Sequence, residues 1–395
     1  MTDNAAPRQW TIALLAAAGF ASMASARVCD GLLPALIRAF DRPASETAYV
    51  ITAFAMAYGV MQLVLGPLGD RYGKHRVITL ATLACAVWSL ATALAPTFAW
   101  LVALRAVTGG TTAAIIPLGL AWMGDAVAYR QRQSSIARMM SGGILGLGGG
   151  QLLGGGVADT LGWRWAFAML AGIYLAVGAV MWVKLRGHAA IHARMSPGTG
   201  SLAIGSRIGA VLGTPWARRV LVTVFIEGTL VFGSLAMIPY YLNRFFGVSL
   251  AVAGATVALF ALGGFFYTTQ ARRLVAVLGE TGLSLAGTGV AALSLVALGL
   301  GPSWLWGIPA SFGLGLGYYM IHNTLQTNAT QMTPEHRGTA VSVFAAALFL
   351  GQSAGVTVSA ALLHRIGPGW LFPTAGVGLF LLGLRFASGL RGEGR

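Results

Sequence analysis

Residues 47–95 read TAYVITAFAMAYGVMQLVLGPLGDRYGKHRVITLATLACAVWSLATALA. Two mostly apolar blocks, 47–67 and 77–95, flank a short basic punctuation, Gly66-Pro67-Leu68-Gly69-Asp70-Arg71-Tyr72-Gly73-Lys74-His75-Arg76. A helix of about 20 residues rises about 30 Å, the thickness of a bilayer's hydrocarbon core. Lipid offers the backbone no hydrogen-bond partner, so blocks of this length are expected as spanning helices.

The pattern recurs along the whole chain. Spans are expected near 11–37, 47–67, 77–95, 98–122, 136–158 and 163–184, then near 218–242, 249–269, 279–300, 303–327, 338–363 and 369–387. The fold class expected is therefore an all-α membrane protein of twelve transmembrane helices. Composition agrees: 56% of residues are hydrophobic, 9% are charged and the mean hydropathy is +0.73. A soluble domain carries about 25% charged residues. The longest polar stretch, Lys184 to Ala217, divides the chain into expected units 1–185 and 217–395 joined by a cytoplasmic linker, 186–216, whose Ser201 to Leu212 portion is expected to form a short helix on the membrane surface.

Lys and Arg residues collect in short cytoplasmic loops. On an even-helix scheme, 19 of the 26 basic residues fall on one side and five on the other, with Arg27 and Arg105 inside spans. This predicts both termini in the cytoplasm of a multi-pass protein of the cell inner (plasma) membrane. It also accounts for the net charge of +15 through an anionic lipid surface rather than nucleic acid. Cys29 and Cys85 fall in spans and read as buried apolar thiols, not as a disulfide or a metal site. Ala24-Ser25-Ala26 has the composition of a signal-peptide cleavage site, but cleavage would invert the charge bias of every later loop, so an intact first span is expected.

A weak repeat has an offset of 201: Gly150-Gln151-Leu152-Leu153-Gly154 is echoed by Gly351-Gln352-Ser353-Ala354-Gly355. Repeated halves around a central site are a common transporter plan. Gly142, Gly146, Gly150 and Gly154 form a smooth ridge on the fifth span, which suits either sliding contacts or tight packing.

The loop from Gly66 to Arg76 resembles the signature of the major facilitator superfamily, Gly-x-Leu-x-Asp-Arg-x-Gly followed by basic residues; Gly66, Leu68, Asp70, Arg71, Gly73 and Lys74 occupy its positions. Arg105-Ala106-Val107-Thr108-Gly109 is similar to the family's Arg-x-x-x-Gly element. Gly146 to Gly155 is similar to its antiporter element, with Gln151 in the place of proline. Asp30-Gly31-Leu32-Leu33-Pro34 and Gly162-Trp163-Arg164-Trp165-Ala166-Phe167 are of the kind seen in twelve-helix drug:proton antiporters and sugar-efflux relatives. The resemblance implies two pseudo-symmetric six-helix bundles with a cavity lined by spans 1, 4, 7 and 10. It also implies a cytoplasmic gating motif (Gly66, Asp70, Arg71, Gly73, Lys74) in which Asp70 latches the start of span 11 at Arg337-Gly338-Thr339.

Charges inside the bilayer cost about 2.5 to 3.5 kcal/mol each at a helix centre, so Arg27, Asp30, Arg105 and Glu227, with His322, are expected to face protein or a wet pathway. An ion pair of Asp30 with Arg27 or Arg105 is expected near the outer mouth. Glu227, the deepest carboxylate, and His322, at similar depth, are candidates for proton exchange. Gln62, Tyr58, Phe225, Tyr240, Tyr241, Tyr318, Tyr319, Asn323 and Gln326 are further cavity candidates, suited to an amphiphilic or cationic organic molecule. The chain carries no phosphate-cradling glycine loop, nucleophile elbow or catalytic dyad. The function expected is proton-coupled efflux of a small organic compound by a non-enzymatic monomer, with a proton gradient in place of any cofactor; proton symport, facilitated import, a sensor and a membrane enzyme are the rivals.

Overall fold

The structure, a computed structural model, describes residues 9–127, 129–186 and 201–393. These are almost entirely helical, and none is in a strand. In chain order the helices are α1 (Gln9–Phe40), α2 (Ala44–Thr47), α3 (Tyr49–Tyr72), α4 (Lys74–Ala93), α5 (Phe98–Thr112), α6 (Ile115–Ala126), α7 (Tyr129–Thr160) and α8 (Trp163–Arg186). There follow α9 (Ser201–Gly213), α10 (Pro215–Phe246), α11 (Leu250–Leu300), α12 (Gly307–Ala329), α13 (Arg337–Ile366) and α14 (Pro368–Glu393). Of the expected linker, residues 187–200 lie outside the described residues, and α9 occupies most of the remainder.

Nine helical stretches among the described residues are long and apolar enough to cross a membrane. Helices α7 and α12, at 32 and 23 residues, match expected spans in length but are not among the nine. Glycine and polar residues dilute both, as befits helices that pack on protein over most of their surface. Helix α11 merges two expected spans. At about 1.5 Å per residue a straight rod of its 51 residues would be about 77 Å long, over twice the hydrocarbon core. It breaks instead at Gly279, whose φ of 61° and ψ of −179° no L side chain adopts easily. Helix therefore continues past Arg272 and Arg273, where a loop was expected. The loop between α3 and α4 has likewise shrunk to one residue, Gly73, at φ 88°.

Helix α1 lies beside α7, α3 beside α5, and α4 beside α8; α10 lies beside α13, and α11 beside α12 and α14. These two groups meet where α7 crosses α11, α3 crosses α13 and α1 crosses α10. The glycine ridge of α7 faces its own group: a Cβ on Gly142, Gly146, Gly150 or Gly154 would lie 2.2, 2.3, 2.4 or 2.2 Å from the carbonyl oxygens of Ala16, Phe20, Ala24 and Val28. Gly351 and Gly355 of α13 meet Phe225 and Thr229 of α10 in the same way, each at 2.1 Å. These ridges are close-packed seams within each group, and Gly155 of α7 makes a similar close approach to Leu250 of α11 in the other group.

The core is asymmetric along the helix axes. At the end carrying Leu36 and Leu242, one continuous cluster joins both groups, with Leu32 and Ile51 packed together with Val231, Leu235 and Val356. At the opposite, basic end the core divides, one cluster around Leu15, Ile78 and Met139 and another around Val220, Leu325 and Phe344. The space between those two clusters is a cavity.

Candidate functional site

The cavity has a volume of about 790 Å³. Arg27, Phe232, Tyr318, His322 and Gln352 form its closed end, while Lys74, Arg207 and Arg337 stand at its basic end. Of the polar and aromatic candidates read from sequence, Tyr58, Gln62, Tyr318, Tyr319, Asn323 and Gln326 line it. Phe225, Tyr240 and Tyr241 do not. Phe225 is 38% exposed on the outside of the molecule, Tyr240 lies edge-on to His364, and Tyr241 donates its hydroxyl to the carbonyl of Leu298 at 3.3 Å among Phe245, Phe246 and Phe372.

Arg27 and Asp30 sit three residues apart on α1, a spacing that places both on one helix face. Arg27 Nη1 donates to Asp30 Oδ2 at 3.4 Å, and both side chains are buried. The α1–α7 glycine seam then delivers a partner. With Gly150 and Gly154 pressed against α1, Gln151 between them donates from Nε2 to Asp30 Oδ2 at 2.9 Å. From the other group, Gln352 accepts Arg27 Nη2 on Oε1 at 2.6 Å, and the Arg27 guanidinium lies 4.3 Å from the centroid of Phe232. The cluster thus spans both groups of helices. Gln151 and Gln352 are the two repeat-related glutamines, and sequence reasoning did not place them in the site. The 201-residue echo was the signal that could have found them.

Of the two ion pairs expected for Asp30, the one with Arg27 forms. Arg105 is held elsewhere: Nε donates to the carbonyl of Val50 at 3.2 Å, Nη1 to Ser25 Oγ at 3.3 Å, and Nη2 to the carbonyl of Ser25 at 2.9 Å. Its guanidinium lies 4.2 Å from the ring centroid of Phe54. It is buried, does not line the cavity, and ties α5 to α1 and α3. Asp30 is not at an open mouth either. It is sealed behind Arg27 at the closed end of the cavity.

Glu227 and His322 are brought together. His322 Nδ1 lies 2.9 Å from Glu227 Oε2, joining α10 to α12. Glu227 is fully buried and absent from the cavity wall, whereas His322 is part of that wall, stacked on Tyr318 at 4.8 Å. The two pairs share one plan. Each carboxylate is hidden, and the basic partner stands between it and the cavity.

In the proposed gating loop, Gly73 supplies the turn, and Gly69 lets α3 approach α6, since a Cβ there would lie 2.5 Å from a methyl of Leu118. Arg71 lies 5.3 Å from the ring centroid of Tyr72. Lys74 pairs with Asp125 of α6 at 2.5 Å and borders the cavity. Helix α13 does begin at Arg337, and Arg337, Gly338 and Thr339 line the cavity, but the surroundings of Gly66 and the side chain of Asp70 lie outside what is described, and with them the expected latch.

Comparison with known proteins agrees with this architecture. The chain is 25% identical over 351 residues to the uncharacterized MFS-type transporter YwfA of Bacillus subtilis (strain 168), covering 88% of this chain and 83% of that protein. It is 24% identical over 376 residues to the inner membrane transport protein YnfM of Escherichia coli (strain K12), covering 94% and 86%. A crystal structure of a bacterial homolog of the human lysosomal transporter Spinster, inward-facing and unoccupied, superposes with a TM-score of 0.68 at 18% identity, covering 96% of this chain and 93% of that one. A sequence model of the Major Facilitator Superfamily matches residues 15–356. With its helical fold, its central cavity and that match across most of its length, the chain belongs to the Major Facilitator Superfamily of membrane transporters.

Proposed function

We propose that this transporter exports a small organic compound in exchange for protons by alternating access, with its basic end in the cytoplasm. The observation that carries the reading is the Glu227–His322 contact of 2.9 Å at the cavity wall. Glu227 is removed from water and faces one basic side chain, an arrangement in which two groups can share and pass on a proton. A change in access to the cavity alters the solvation of His322 first, and the proton moves between the pair and whichever side is open. Asp30 has the same relation to Arg27, but arginine does not deprotonate, which makes Glu227–His322 the better exchange point. The excess of Lys and Arg at the cavity's open end supports a cytoplasmic opening. The depth of the closed end, where both groups of helices share one core, supports a single gate that must part on the other side.

Reconstitution in inverted vesicles under an imposed pH gradient tests this. Export predicts substrate accumulation that dissipates the gradient, whereas import by symport or facilitation predicts efflux, and a sensor or enzyme predicts neither. Glu227→Gln is expected to abolish gradient-driven accumulation while leaving expression and passive exchange in place. Undiminished coupling in that variant would remove Glu227 from the mechanism.

A further inference from the structure

The wall of the central cavity is charged with one sign. Among the described residues, its ionised side chains are Arg27, Lys74, Arg207 and Arg337, with His322 beside them, and no carboxylate lines it. Three acids face these residues from outside the wall: Asp30 and Glu227, fully buried behind Arg27 and His322, and Asp125, which pairs with Lys74 at the basic end and leaves Arg207 and Arg337 there. A low-dielectric cleft lined by one sign of charge concentrates solutes of the other.

The hydrogen-bonding capacity left at the closed end has the same polarity. Gln352 commits Oε1 to Arg27, so its amide Nε2 has no partner among protein atoms, and Arg27 Nε has none either. Both residues line the cavity, and they are 1% and 2% exposed. The acceptors left over in this region, Asp30 Oδ1, Gln151 Oε1 and Glu227 Oε1, all belong to side chains that do not line it. Buried donors without an acceptor are costly, and an acceptor arriving from the cavity would relieve them. An organic cation would meet the reverse arrangement. Next to the donors stand the rings of Phe232 and Tyr318, 5.0 Å apart centroid to centroid, a surface for an apolar body.

We propose that the compound carried is an amphipathic organic anion, whose oxyanion head docks on Arg27 and the Gln352 amide while its apolar body lies against Phe232 and Tyr318. Of the amphiphilic or cationic molecules expected from sequence, this takes the amphiphilic alternative, and it rests on the reading of this cavity as the transport site. It is compatible with proton exchange: expelling a monoanion and admitting a proton both carry positive charge inward, so an inside-negative potential assists each.

The test is equilibrium binding to the purified full-length protein in detergent micelles, with no gradient, using two matched series: 2-naphthoate, 2-naphthamide and 2-naphthylmethylammonium; and octanoate, octanamide and octylammonium. In at least one series the carboxylate is expected to bind at least about tenfold more tightly than its amide and its amine, the scale of one hydrogen bond to a charged group. Gln352→Leu, of similar volume, removes one of the two donors and is expected to weaken carboxylate binding severalfold, with Arg27 retaining part of the preference, and to leave amine binding as it is. A preference for the ammonium compounds, or carboxylates no tighter than their amides in both series, overturns the proposal using the unmodified protein alone. Anion-selective binding that persists while vesicles show no coupled movement would count against the transport reading and not against the anion preference.

Discussion

The Arg27–Asp30 pair allows a sharp test, because its environment sets how unequal its halves are. Both side chains are buried, at 3% and 0% exposure, so removing one partner strands the other in a medium that solvates it poorly. Breaking a buried pair costs about 3 to 5 kcal/mol. In Asp30→Asn the guanidinium keeps its 2.6 Å bond to Gln352 and its contact with Phe232, which places that variant near the lower bound. In Arg27→Met the carboxylate keeps only Gln151, and the bridge to α13 is lost as well, which places it near the upper bound. The double variant, Arg27→Met with Asp30→Asn, leaves no uncompensated charge and is expected to lose no more than about 2 kcal/mol, since neutral replacements of buried pairs are often tolerated. Reversible unfolding in mixed micelles, followed by the fluorescence of the 11 tryptophans, measures all three. If the two single losses sum to the double loss within about 0.5 kcal/mol, the residues are not coupled and the electrostatic account of this cluster is refuted.

Other expectations are simpler. Gly146→Ala would place a methyl group 2.3 Å from the carbonyl oxygen of Phe20 and is expected to destabilise by about 1 to 3 kcal/mol, whereas Gly156→Ala on the same helix meets nothing within 4 Å and should be neutral or mildly stabilising by the same unfolding measurement. Asp159 at the end of α7 accepts the Ala251 amide of α11 at 2.7 Å and so ties the two groups together at the closed end. Asp159→Ala, worth about 0.5 to 2 kcal/mol as a lost helix-terminus contact, should lengthen the distance between spin labels at Leu161 and Val252; an unchanged distribution would show that the contact does not hold this end shut. Lys74→Gln should change stability by no more than about 1 kcal/mol, because Asp125, its partner, is 65% exposed; a larger loss in the unfolding midpoint would mean the pair is more than a surface contact.

Much of this was legible in the chain itself. Apolar blocks of bilayer length, with no water to satisfy their backbones, could only be helices, and the loop from Gly66 to Arg76 carried the family signature whatever its geometry. Asp30 was read as needing a cation, and Glu227 and His322 as lying at one depth, because helical rise converts sequence position into depth. Depth along a helix is not direction around it or distance across a bundle. That Arg27 rather than Arg105 neutralises Asp30, that Gln151 and Gln352 complete the cluster, that Lys74 answers Asp125 and that the cavity wall carries cations while its acids hide behind them were all decided by tertiary packing. Those facts depend on which glycines press which helices together, and that contact free energy is shared between residues more than a hundred positions apart, where no local pattern records it.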